Sequence, residues 1–107
     1  MNYKALQNKE NFKEKIELLS RNYINSKRVL NEVEEDVINV SEDRIEVHRK
    51  IVAHINYVTE AMEERERLII ENEVLKGKRG KWYKEMMSES TYYRLRHSAY
   101  YNFLRSL

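Results

Sequence analysis

Ser90, Tyr93, Arg94 and His97 recur at helical spacing in "MSESTYYRLRHSAYYNFLRSL", residues 87–107, and with Tyr101 they form one face without a carboxylate. The opposite face is Tyr92, Leu95, Ala99 and Phe103, spaced 3, 4 and 4, which is an inward stripe at about 100° per residue. Short hydroxyls, a phenol, a guanidinium and an imidazole do not make a nucleophile with its base. They do make a hydrogen-bonding edge. Arginine can fork onto guanine, while serine and tyrosine reach a phosphate or a base edge. Ser90, Tyr93, Arg94 and His97 are therefore candidate base-reading residues for a helix whose first turns enter the major groove of duplex DNA. Ser88 is suited to start that helix, because its hydroxyl can accept the free backbone N–H of Ser90 or Thr91.

The charge split supports the same chemistry. From Lys76 onward eight basic side chains face two acidic ones, a net charge of +6, whereas the first 75 residues carry twelve basic and sixteen acidic groups, a net charge of −4. One end of the chain is suited to phosphates and the other is not. Candidate phosphate contacts are Lys78, Arg79, Lys81, Lys84, Ser88 and Arg96, which would add affinity blind to sequence. Trp82 reads as a core anchor with its N–H at an edge.

The elements that must position these groups are helical. There is no Pro, Gly occurs only twice (Gly77 and Gly80), and charged residues make up 36% of the 107 residues. The expectation is an all-α fold: a long helical arm or helical hairpin followed by a C-terminal helix-turn-helix unit. Phe12, Ile16, Leu19, Tyr23, Ser26, Leu30, Val33, Val37 and Val40 form a heptad seam in which only Ser26 is not apolar. Such a helix folds back as a hairpin or pairs with a second chain as a coiled coil. Tyr100 and Leu104 leave the end of the last segment apolar on two sides, so with the seam they are candidate interface residues for packing or for a dimer. Ser41 should cap a second helix, "EAMEERER" should mark a bend or a new helix, and Gly77 should stop the helical stretch that follows. "GKRGK" reads as an exposed loop and "KWYKEM" as a short scaffold helix before the Ser88 turn. The division expected is 1–62 for the arm and 63–107 for the DNA-binding unit.

"ERERLIIENEVLKGK" followed by "SESTYYRLRHSAYYNFL" resembles the helix-turn-helix of sigma-factor region four, and more closely that of ArpU-type phage transcriptional regulators. Ser88, Thr91, Tyr92, Tyr93, Arg94, Ala99 and Phe103–Leu104 carry the resemblance, which covers about 45 residues. It implies promoter reading by the last helix and a role in regulating transcription. It departs from the family where only Met86 and Met87 separate Glu85 from Ser88, so the usual docking angle does not carry over.

Other classes are weaker. Without Cys there is neither a disulfide framework nor a thiolate metal site, and His48, His54 and His97 complete no zinc cage. His48 reads as solvated, His54 as structural, and Met86 and Met87 as core filler. No enzyme constellation, cofactor, metal or small-molecule substrate is implied. No apolar run reaches the length of a membrane span and the first fifteen residues show no export signal, so the chain reads as cytoplasmic. The partners expected are double-stranded DNA, RNA polymerase and a second copy of the chain. A small-terminase-like packaging factor and a helical protein-interaction module stand as alternatives.

Overall fold

The computed structural model describes residues 9–107. Residues 1–8, on which part of the export expectation and of the 1–62 unit rests, lie outside the described residues. The protein is all-helical, with no strand among the described residues. The helices are α1 (Lys9–Glu34), α2 (Glu42–Glu60), α3 (Glu64–Ile70), which runs on into a π turn (Glu71–Leu75), and α4 (Glu89–Ser106).

The heptad seam forms α1, and its inner residues Phe12, Ile16, Tyr23 and Ser26 are buried in the chain's own core. Leu19, Leu30 and Val33 are half-buried. The seam stops short of Val37 and Val40. At the end of α1 the Val37 N–H reaches the Glu32 carbonyl (2.8 Å) and the Asp36 N–H that of Val33 (3.1 Å), around a left-handed Asp36 with φ of 62°. This is a Schellman closure with aspartate where glycine is usual. It turns Val37 outward to 65% exposure, so this residue lines no interface within the chain.

Ser41 caps α2 as expected, taking the Arg44 N–H, and Glu42 and Asp43 occupy its first turn. Two side-chain bonds set its register antiparallel to α1. The Tyr23 hydroxyl donates to Asn56 (2.8 Å), and Ser26 pairs with His48 Nδ1 (2.8 Å). The one polar position in the seam is thus satisfied across the hairpin. His48 is not solvated, because Ser26 would otherwise be buried without a partner. His54 is exposed, and its Nε2 lies 3.3 Å from the Leu107 carbonyl.

The chain breaks at residues 61–63, and the Glu63 carboxylate caps α3 through the N–H groups of Arg65 and Glu66. Beyond Ile70 the ladder widens to π geometry, with the Lys76 N–H on the Glu71 carbonyl. Val74 lies in the last turn, where its carbonyl has no intrahelical partner, and the buried Ser20 hydroxyl of α1 donates to it (2.8 Å). Gly77, at φ +64°, ends the turn while the Lys78 N–H reaches back to Asn72. One core runs across residue 62, joining Phe12, Ile16, Ile55 and Val58 to Ile69, Ile70, Val74 and Phe103. No described helix is long and apolar enough to cross a membrane.

The two glycines should differ in tolerance. A Cβ on Gly77 would lie 2.8 Å from Ile24 Cδ1, whereas one on Gly80 (φ +74°) would meet nothing within 4 Å. Gly80→Ala should cost only the left-handed backbone penalty, about 1 kcal/mol, and Gly77→Ala about 2 kcal/mol or more. Urea unfolding of both variants checks the order.

Candidate nucleic-acid interface

The interface depends on a carboxylate that is inside the protein. Glu73, in the π turn, is 5% exposed and accepts three side-chain hydrogen bonds. Trp82 Nε1 donates to its Oε2 at 2.9 Å, the Tyr92 hydroxyl donates to the same oxygen, and the Tyr100 hydroxyl donates to Oε1. The node joins the π turn, the 76–88 loop and α4. Seven residues earlier on α3, Glu66 performs a parallel function by accepting from Ser98 and from the Asn102 amide (3.0 and 3.1 Å). One glutamate on α3 and one in the π turn therefore hold α4 at Tyr92, Ser98, Tyr100 and Asn102.

These bonds decide the shape of the loop. "KWYKEM" forms no helix; residues 82–86 are successive turns, with the Lys84 N–H on Lys81 and the Met86 and Met87 N–H groups on Tyr83. The scaffold helix expected there would place Trp82 and Tyr83 about 100° apart. Instead both rings are drawn to the same neighbour. Tyr83 stacks on Tyr92 (centroids 3.6 Å, 6° between planes), and Trp82 meets both edge-on at 5.9 and 6.1 Å. Arg79 closes the loop from the other side, donating to the carbonyls of Glu73 (3.1 Å) and Lys78 (2.9 Å). Its guanidinium is thus committed to the loop before any phosphate arrives. Met86 is exposed and only Met87 packs on the core, because the turn points them apart.

On α4, Ser88 is the N-cap and accepts the Thr91 N–H (3.2 Å), while its own proton goes to Thr91 Oγ1 (2.9 Å). Ser90, Tyr93, Arg94 and His97 are all exposed, on one arc of the helix. Lys78, Lys81 and Lys84 are exposed on the adjoining loop. Arg96 belongs elsewhere. It is half-buried on the inward arc, its guanidinium 5.0 Å from the Tyr100 ring and 5.8 Å from that of Tyr93. Burial disfavours its charge, but Tyr100, Tyr92 and Glu73 together outweigh that and raise its pKa. Tyr100 is also inward, bonded to Glu73, and Leu104 is half-buried against the core, so neither offers a free interface. An acid does approach the surface: Glu89 pairs with Lys81 at 3.7 Å. Farther along, Phe12 of α1 lies against His97 (5.7 Å) and Tyr101 (6.3 Å), which leaves the first two turns of α4 as the open part of the face.

Glu73, Glu66, Trp82 and Tyr83 were not among the site residues expected from sequence. Glu73 does carry a readable signal, since it continues the Ile69–Ile70 stripe at helical spacing into a region with many tyrosines to follow. No protein-family model, curated protein or solved structure matches the chain.

Tyr92 and Tyr100 supply a pH test. Burial, with the hydrogen bond to Glu73 and its charge, holds both phenols above their ordinary pKa of 10.0. The folded chain therefore keeps protons that the unfolded chain releases. Their contribution is complete below pH 10 and is lost as pH rises beyond it. Unfolding free energy should fall above pH 10, and less steeply in Tyr100→Phe. At pH 7 that substitution should cost about 1–3 kcal/mol by removing one donor from a buried carboxylate. Denaturant titrations at pH 7, 9 and 10.5 check both statements.

Proposed function

We propose that the protein binds duplex DNA, with the first two turns of α4 in the major groove, and acts as a regulator of transcription. The observation carrying this reading is the open arc of Ser90, Tyr93 and Arg94, with the exposed His97 at its edge against Phe12. It lies at a helix N-terminus, next to the exposed Lys78, Lys81 and Lys84. Arg94 and Lys84 make no ion pair among the described residues, so both are available to a polyanion. The positive end of the α4 dipole adds to the attraction for phosphate. Arg94 forks onto a base edge, with Ser90 and Tyr93 beside it, and the lysines sit on the sugar-phosphate backbone. The resemblance to the ArpU-type and sigma region-four helix-turn-helix points to the same use of this helix. Here a looped turn stands in place of the scaffold helix.

With Phe12, Ile16 and Tyr23 committed to the chain's own core, this reading does not require the heptad seam to pair two chains. Any second copy would use another surface.

Fluorescence anisotropy with labelled duplex fragments over a salt series is the direct measurement. Affinity should fall steeply with salt while a preferred fragment keeps its advantage. Arg94→Ala should cost about 1–3 kcal/mol on that fragment and relax the preference, and Lys84→Ala should weaken all fragments alike. Binding that is absent at low salt, or indifferent to both substitutions, would remove the reading.

A further inference from the structure

Two adjoining clefts share one wall built from Tyr93, Arg96 and Tyr100. The first, about 340 Å³, lies between the start of α1, the loop and α4, and presents Lys13, Lys78, Lys81 and Arg96. Arg79 also lines it, and the opposing acids are Glu17 and Glu73. Glu73 keeps its charge but turns its oxygens to three donors inside the protein, and the five cations of the lining outnumber the two acids. The second cleft, about 270 Å³, is bounded among the described residues by Phe12 and His97 besides the shared wall. Cations thus line one compartment and rings line the next, with a guanidinium stacked between two phenols at the border.

We infer that the paired clefts form a binding site for a nucleoside phosphate. The phosphate sits in the cationic compartment, and the base stacks in the aromatic one on the Tyr93 ring, which is 52% exposed. The chemistry fits each part. Lysine and arginine donate to phosphate oxygens, and a planar base gains from aromatic faces and from a stacked guanidinium. A volume near 300 Å³ is the lower end of what small-ligand clefts occupy. Fixing Arg96 between Tyr93 and Tyr100 orders the guanidinium in advance, so less rotamer freedom is lost on binding. The site draws Lys13 and Phe12 from α1, some eighty residues away from α4 in sequence, and gives the start of that helix a role that groove reading does not require. It does not depend on the duplex-DNA reading, because the base it takes is unpaired.

Isothermal titration of the 107-residue chain with adenosine monophosphate, adenosine and inorganic phosphate tests the inference. The nucleotide should bind about tenfold or more tightly than phosphate or adenosine alone. Tyr93→Ala should remove the advantage of the nucleotide over phosphate. Lys13→Ala should weaken nucleotide and phosphate together. Both residues are exposed or half-exposed at the surface, and circular dichroism melts confirm that the fold is kept. Arg94→Ala, which should impair duplex binding, should leave the nucleotide titration unmoved, so the two readings fail separately. A short single-stranded oligonucleotide that displaces adenosine monophosphate would identify a strand as the natural source of the nucleotide, and simultaneous binding would identify a free nucleotide. Equal affinity for nucleotide and phosphate, no binding at all, or indifference to Lys13→Ala would overturn the inference.

Discussion

A carboxylate removed from water must be compensated where it lies, and Glu73 is compensated by Trp82, Tyr92 and Tyr100. Leaving a buried charge unpaired costs several kcal/mol, so these donors are held to it with little freedom to move. The rest of the structure follows from that demand. Trp82 fixes the loop, Tyr92 and Tyr100 fix the rotation of α4 about its axis, and that rotation decides which side chains remain outside. Ser90, Tyr93 and Arg94 are exposed because Tyr92 and Tyr100 are not.

The π turn serves the same arrangement. It lets Glu73 face α4 while Val74 faces α1, whose Ser20 donates to the Val74 carbonyl. Gly77 then lets the chain leave toward the loop without crowding Ile24. Helix α1, the turn and α4 are thus joined by polar bonds inside an apolar core. Polar bonds are more selective than apolar contact about register, because a slip of one residue leaves a buried donor or acceptor unmatched.

How much of this was legible in the sequence depended on whether a pattern was local. The helices, the Ser41 and Ser88 caps, the break near residue 61 and the stop at Gly77 follow from spacing and from residues a few positions apart, and they were all readable. So was the exposed arc of Ser90, Tyr93, Arg94 and His97, since its complement is a regular stripe. Partners far apart in sequence were not readable. Ser26 stood out as the polar member of a heptad, but nothing nearby named His48 as its partner. Arg96 looked like an outward cation because arginines usually are; only Glu73 and two tyrosines, brought in by folding, turn it inward. "KWYKEM" had the composition of a helix and lost that form to tertiary ring stacking, which outweighs the weak propensity of six residues. The end of the seam failed for a different reason. The heptad continued on paper past Glu34, while Asp36 adopted a left-handed turn that aspartate permits without announcing it.

The bond from Ser20 to the Val74 carbonyl spans 54 residues, and the contact of Phe12 with Tyr101 spans more. During synthesis, α1 and α2 leave the ribosome before α3 and α4 and can pair through Tyr23–Asn56 and Ser26–His48. Their remaining inner side chains have nothing to cover them until the π turn and then α4 arrive. Helix α1 is therefore made before the elements that enclose it. Over that interval its Phe12 and Ile16 are the surface that a chaperone, or another nascent chain, would find.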